Sequence, residues 1–181
     1  MKIIFLDIDG VLATHLEYSR PRHKFQDKYD VARTLRVPYP FNAKCVEIFN
    51  EILEKTGAEI VLSSDWRMHW NLEELGEIFK LNGVIKSPID VTHQYKRKMS
   101  SSLEDDRGHQ ILTWIEKNKP DTWIAIDDLK LWSFEPEYLD KFFLTRDQEG
   151  LKQLSLKGKI IKKLNHEQEQ EKTDNQRPTE E

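Results

Sequence analysis

Three apolar runs in the chain end in oxygen-bearing side chains. Ile3-Ile4-Phe5-Leu6 leads into Asp7-Ile8-Asp9-Gly10, Ile60-Val61-Leu62 into Ser63-Ser64-Asp65, and Ile124-Ala125-Ile126 into Asp127-Asp128. If these runs are neighbouring strands of one sheet, four carboxylates and one or two hydroxyls converge at one edge. Unit charges about 4 Å apart repel by roughly 4 kcal/mol at an effective dielectric near 20. Such a cluster requires protonation or a cation. An all-oxygen donor set this acidic favours Mg²⁺, a hard ion that keeps several waters and engages phosphate readily. Singly, each acid is as well explained as a turn or cap residue after its strand. Three such strand ends together are not, because uncompensated acids are costly there.

The elements that position these groups follow from periodicity. Lys2 to Asp7, Ala58 to Ser63 and Thr122 to Ile126 read as buried strands, short, apolar and largely β-branched. Val84-Ile85 and Lys141 to Thr145 mark two more. Asn42 is placed to cap a helix whose apolar positions Cys45, Ile48, Phe49, Ile52 and Leu53 follow the 3.6 period, with Gly57 closing it. Helices are also predicted over Leu72 to Leu81, Asp106 to Asn118 and roughly Leu151 to Leu164, with a polar loop over 96–104. Strands alternating with helices imply an α/β class: a Rossmann-like, mostly parallel sheet with helices on both faces. Ligands of such sheets bind at the carboxyl ends of the strands, where the polar residues lie. Residues 12–41 show no sustained period and contain Pro21, Pro38 and Pro40, so they read as an excursion, a hairpin or flap. Residues 165–181 lack any large apolar side chain and read as a disordered polar tail on a single domain spanning 1–164.

The chain has 181 residues, with 28 Lys and Arg against 32 Asp and Glu and a formal net charge of −4. Glu167, Glu169, Glu171, Asp174, Glu180 and Glu181 against Lys172 and Arg177 put that whole excess in the tail. With four of the remaining acids committed to a metal, the rest of the surface is slightly basic. The net charge is therefore no argument against a polyanionic substrate. The lone cysteine, Cys45, excludes an internal disulfide and a thiolate zinc site made by this chain alone. No run approaches the roughly 20 apolar residues of a membrane span. The chain opens on a strand rather than a secretory signal, so a cytoplasmic protein with no membrane partner is expected.

Phe5-Leu6-Asp7-Ile8-Asp9-Gly10-Val11-Leu12 resembles the first motif of the haloacid dehalogenase (HAD) superfamily, DxDGxL after an apolar strand. Ile60-Val61-Leu62-Ser63 is similar to its second motif, and Ile124-Ala125-Ile126-Asp127-Asp128 to its fourth; the resemblance spans about residues 1–150. The longer string Thr56-Gly57-Ala58-Glu59-Ile60-Val61-Leu62-Ser63-Ser64-Asp65-Trp66-Arg67 resembles the small HAD domains associated with RNA-repair proteins. The resemblance implies a Mg²⁺-dependent phosphoric monoester hydrolase. Asp7 is then the nucleophile, giving an aspartyl-phosphate, and Asp9 the general acid and base. Ser63 bonds the transferring phosphoryl group, with Ser64 as the alternative. Asp127 and Asp128 hold Mg²⁺ together with Asp7 and with Asp9, the last through its backbone carbonyl. The third motif, usually a Lys and sometimes an Arg ahead of the paired-acid strand, is where the match departs. Arg107, which opens the predicted helix, is the first choice, and Lys96, Arg97 and Lys98 are the alternatives.

A flap this small implies an open site, with room for a phosphorylated polymer such as a nucleic-acid end, for a nucleotide, or for a protein phosphoester. Between Arg20 and Arg36 lie Arg20, Arg22, Lys24, Lys28, Arg33 and Arg36 against Asp27 and Asp30, with His23, Phe25 and Tyr29 interleaved. That pattern suits a phosphate backbone and stacked bases, although solvated charge on an exposed flap is the weightier reading. Trp66, Arg67, His69 and Trp70 follow the second motif closely; Arg67 is a candidate substrate contact, and the tryptophans suit packing as well as a cleft. The competing reading is a non-catalytic RNA- or protein-binding module that keeps the acids only for a metal. A receiver-like phosphoacceptor fits less well, since Asp9 is placed to hydrolyse the acyl phosphate such a module must preserve. Nothing in the pattern specifies an oligomeric state.

Overall fold

Parallel strands with apolar residues at almost every position need cover on both faces. Five such strands form one sheet here: β1 (Lys2–Leu6), β2 (Glu59–Leu62), β3 (Asp90–Val91), β4 (Thr122–Asp127) and β5 (Phe142–Leu144), in the order β3-β2-β1-β4-β5. The computed structural model describes residues 1–19, 22–93, 103–131 and 136–174. Alternation along each strand divides the core. Ile4, Leu6, Ile60, Leu62, Ile124 and Ile126 pack against α4 (Ala43–Thr56), α5 (Leu72–Leu81) and α7 (Leu156–Asp174). Ile3, Phe5, Val61, Trp123 and Ala125 pack on the opposite face against Ile111 and Trp114 of α6 (Leu103–Asn118). The expected α/β class and Rossmann-like parallel sheet are what the chain forms.

Local signals set the helix ends. Asn42 caps α4, its side chain accepting from the N–H groups of Lys44 and Cys45 at 3.1 and 3.3 Å. Gly57 closes α4 in the left-handed conformation, φ +67°, which costs a glycine little. Asn71 and Glu74 form a capping box at the start of α5.

Four elements differ from expectation. Val84-Ile85 is not a strand: the Val84 N–H donates back to the Phe79 carbonyl, and the Ile85 N–H donates to Asn50. The third strand forms later, at Asp90–Val91, where the chain reaches the free edge of β2. Residues 12–41 are not a hairpin but carry three short helices: α1 (His15–Tyr18), α2 (Arg22–Gln26) and α3 (Asp30–Thr34). This flap starts and ends at one place, since the Asn42 N–H donates to the Leu12 carbonyl at 2.8 Å. Ala32, Val37 and Phe41 bury its inner side in the larger core, so it is fastened down rather than free.

Helix α6 begins at Leu103, ahead of the expected Asp106. A 3₁₀ turn at Gly150–Lys152 precedes α7, which starts at Leu156 and continues to Asp174 rather than stopping near Leu164. Glu, Gln and Lys have high helix propensity, and propagation from a packed helix avoids the cost of a new nucleus. The remainder of the expected tail, 175–181, lies outside the described residues. Among the described residues no helix is long and apolar enough to cross a membrane.

Candidate active site

Sheet register brings the three polar strand ends together. Leu6 pairs with Leu62 on one side and Ile126 on the other. The ladder continues one residue further, with the Asp7 N–H donating to the Ile126 carbonyl at 3.0 Å and the Ser63 N–H to the Leu6 carbonyl at 2.9 Å. Ser63, Asp7 and Asp127 thus occupy adjacent positions on neighbouring strands, with side chains on the same side of the sheet. The chain builds outward from β1 to β2 and β3, then returns to place β4 against the other edge of β1. The site lies at this reversal, where open α/β sheets leave a crevice.

Beyond Asp7 the chain turns tightly, the N–H groups of Leu12 and Ala13 both donating to the Ile8 carbonyl at 2.9 Å. Gly10 sits in this turn at φ +69°, and a Cβ there would lie 2.3–2.6 Å from the Asp128 carboxylate and its Cβ. Only glycine permits that approach. Asp7, Asp127 and Asp128 each contribute a carboxylate oxygen to a group whose members lie within 4.8 Å of one another.

Arg107 is the fixed cation of the site. Its Nη1 lies 3.1 Å from Asp7 and 3.0 Å from Asp127, and its Nη2 lies 3.1 Å from Asp65. The Arg107 side chain is 4% exposed, against 5% for Asp7 and 1% for Asp127, so these pairs are scarcely screened by water. Burial opposes the guanidinium charge, but Asp7 and Asp127 outweigh it and hold the proton more firmly than usual. Arg107, with Arg67 3.9 Å from Asp65, does not balance the group. Burial and the charge of Asp7 push the Asp128 carboxyl up to about 6, and the same two causes raise Asp127 against the pull of Arg107. An excess of buried carboxylate with only oxygen donors fits a hard divalent cation such as Mg²⁺.

Asp9 stands apart from this triad. Its Oδ1 accepts from the Tyr39 hydroxyl at 2.6 Å, and its Oδ2 accepts from the Trp66 indole N–H at 3.0 Å. Burial raises its pKa, while those two hydrogen bonds oppose the rise. The Asp9 carboxylate is therefore held by neutral donors and is not among the grouped ligand oxygens, whereas Asp7, Asp127 and Asp128 are.

The two serines divide their work. The Ser64 hydroxyl accepts from the Trp66 N–H and starts the 3₁₀ helix Asp65–Met68. The Ser63 hydroxyl is buried and has no hydrogen-bond partner among the described residues. Arg67, expected near a substrate, turns inward: it donates to the carbonyls of Ser63 and Ser64 and to Gln110 at 2.6 Å, fastening the β2 loop to α6. Lys96, Arg97 and Lys98 lie outside the described residues.

Sequence reasoning missed Tyr39 and Trp66 as partners of Asp9, and Asp65 as a partner of Arg107. Pro38 and Pro40 around Tyr39 were a usable signal, because they restrict the backbone that presents the ring. The Asp65 pairing had none, since it joins the β2 loop to a helix far along the chain.

No curated protein and no solved structure matches the chain. Residues 3–156, from β1 to the first residue of α7, match the family model described as the HAD domain in Swiss Army Knife RNA repair proteins, and with acids closing β1 and β4 around a buried arginine the chain belongs to that HAD-type family.

Proposed function

We propose that the chain is a Mg²⁺-dependent phosphomonoesterase working through an aspartyl-phosphate on Asp7. The observation that carries this reading is the alignment of three groups on neighbouring strands: Asp7 beside Arg107, the Asp127–Asp128 pair, and the unpartnered buried hydroxyl of Ser63. Asp7, Asp127 and Asp128 would hold Mg²⁺, which when bound neutralises phosphoryl charge and orients the ester. A carboxylate oxygen of Asp7 attacks phosphorus, and the bond from phosphorus to the leaving oxygen breaks. The Asp9 carboxyl, its pKa raised by burial, gives its proton to that oxygen. The Asp9 carboxylate then takes a proton from water attacking the acyl phosphate, releasing inorganic phosphate and restoring Asp7. Ser63 donates to a phosphoryl oxygen, and Arg107 faces the charge that develops there.

Asp9, Tyr39, Asp65, Trp66, His69 and Trp70 line a cleft of about 180 Å³ that opens beside the flap. An open cleft suits a phosphate carried on something larger than a metabolite. With membership in a family named for RNA repair, this supports a nucleic-acid end as the phosphate carrier.

The test is turnover of an aryl phosphate by the full chain. Hydrolysis with Mg²⁺, its loss in EDTA, and its absence in Asp7→Asn with an unchanged melting temperature are expected. Full activity in EDTA or in Asp7→Asn would overturn the proposal. RNA or protein binding with no turnover on any phosphate ester would return the chain to a binding module.

A further inference from the structure

The aromatic side of the site does not end at Asp9. Tyr39 and Trp66, which bond its two oxygens, are in ring contact with each other at 5.6 Å between centroids, and Trp66 meets Trp70 at 5.0 Å. The Trp70 indole N–H donates to the Leu35 carbonyl at 2.8 Å, tying the flap to the β2 loop. Pro38 and Tyr39 also line a second cavity, of about 310 Å³, whose outer wall is Lys24, Phe25, Lys28 and Tyr29. A third, of about 370 Å³, continues from His69 and Trp70 past Pro38 to Arg36. Pro38 lines all three cavities, so they adjoin along a groove-like surface from Asp9 across the flap.

Asp9 and Asp65 line its inner end and Asp27 is exposed on the flap, but the flap residues lining the two outer cavities carry only positive charge. Arg33 is paired with Asp30, but among the described residues no carboxylate is ion-paired with Lys24, Lys28 or Arg36, all of them exposed. Phe25 and Tyr29 are in ring contact at 5.5 Å, with the Lys28 ammonium 5.1 Å from the Tyr29 ring centroid. Unopposed cations alternating with rings complement a chain that repeats a phosphate and a flat base. A protein carrying acidic groups would answer the lysines but has no regular use for the rings.

We propose that this groove binds single-stranded nucleic acid, with bases on the flap rings and phosphates toward Lys24, Lys28 and Arg36. A duplex keeps its base faces stacked inside the helix and cannot use the rings, so the strand must be unpaired next to the site. The inference rests on the phosphatase reading only in taking the acid cluster as the place where a terminal phosphate arrives.

The test is fluorescence anisotropy of the full chain in EDTA with a short, labelled, mixed-sequence RNA bearing hydroxyl ends. Hydroxyl ends keep a terminal phosphate from facing the metal-free acid cluster. The single strand is expected to bind about tenfold or more tighter than the same RNA annealed to its complement. Lys24→Glu with Lys28→Glu should weaken binding about tenfold and flatten its salt dependence, by about 0.7 in log–log slope for each phosphate left without its lysine. Tyr29→Ala should weaken it about fivefold without changing that slope.

Lys159→Glu with Lys162→Glu makes the same charge change on the basic patch where α7 faces Asp140 and Phe143. An equal weakening in that variant, equal affinity for duplex, tighter capture of an acidic phosphopeptide, or no effect of the flap substitutions would overturn the proposal. Turnover of an aryl phosphate with Mg²⁺ on the same preparation separates the two readings. RNA binding without turnover sinks the phosphatase and leaves the groove, and turnover without RNA binding does the reverse.

Discussion

Asp7 and Asp9 are two residues apart, yet they sit in chemically different surroundings. Asp7 continues the sheet ladder and lies among charges, facing Arg107 and grouped with Asp127 and Asp128. Asp9 lies past the end of the strand, where the turn through Gly10 sends it toward the flap and its oxygens meet one O–H and one N–H. The ionic side is buried at Asp7, Asp127 and Arg107 and held by parallel strands. The aromatic side opens to a cleft and depends on the flap. A nucleophile benefits from fixed charge that stays in place, whereas a group that must both give and take a proton needs partners that do not lock it as an anion.

Arg107→Ala breaks the comparison most severely. It leaves the buried Asp7 and Asp127 without their directly paired cation, Arg67 remaining only beside Asp65, and should cost about 3–5 kcal/mol in urea unfolding measured in EDTA, with part of the loss recovered in Mg²⁺. Arg107→Lys should cost less, because it keeps the charge but loses the fork that spans Asp127 and Asp65. Equal stability of Arg107→Ala and the unchanged chain would show that the ionic side needs no internal cation. On the aromatic side, Asp9→Asn should lower aryl phosphate turnover by about 10²–10⁴ while leaving the melting temperature near that of the unchanged chain. A fall in stability as large as that of Arg107→Ala would erase the distinction between the two carboxylates.

The third prediction concerns pH. Asp128 titrates near 6 in the folded chain, above its unfolded value of about 3.9, so the fold holds that proton more tightly. Its contribution to stability is therefore complete below about pH 4 and is lost as pH rises through 6 in the metal-free protein. A metal bound as proposed would take the deprotonated form. The rise in melting temperature on adding MgCl₂ should be greater at about pH 7.5 than at about pH 5, by about 2 °C or more; a rise that shrinks with pH would contradict a carboxylate-held metal. The smallest effect belongs to Tyr39→Phe, which deletes one donor to Asp9. It should reduce turnover by less than about tenfold, in keeping with a net hydrogen-bond contribution of about 1 kcal/mol, with kcat changed more than KM for an aryl phosphate.

The strands that carry the site were legible because a strand covered on both faces must be apolar through its middle, as residues 3–6, 60–62 and 123–126 are. Arg107 was the first of four candidates that the family resemblance offered, and its guanidinium lies beside Asp7 and Asp127. Strand β3 was not: it is two residues long, includes Asp90, and exists because the edge of β2 is available to pair with. The flap helices are four or five residues long, too short for a helical period to show. Tyr39 and Trp66 were hidden for another reason. Their contacts with Asp9 cross separations of 30 and 57 residues, and although Pro38 and Pro40 mark Tyr39 as a fixed ring, no local pattern encodes which residue it meets. Arg67 was misplaced because a basic residue after a motif suggests a ligand, whereas three nearby oxygens, two of them backbone carbonyls, take up its guanidinium.

The central position of β1 makes the site digital. Asp7 is aligned by two pairings at once, Leu6 with Leu62 and Leu6 with Ile126. A slip of one residue in β1 does not displace Asp7 slightly; it exchanges the two faces of the strand and offers Leu6 or Ile8 where a carboxylate should stand. No partly aligned form exists between the two. A population of chains is then a mixture of molecules with the full constellation and molecules with none of it, and if the proposed phosphatase turns over, the amplitude of a single-turnover burst would count the fraction whose sheet has assembled correctly.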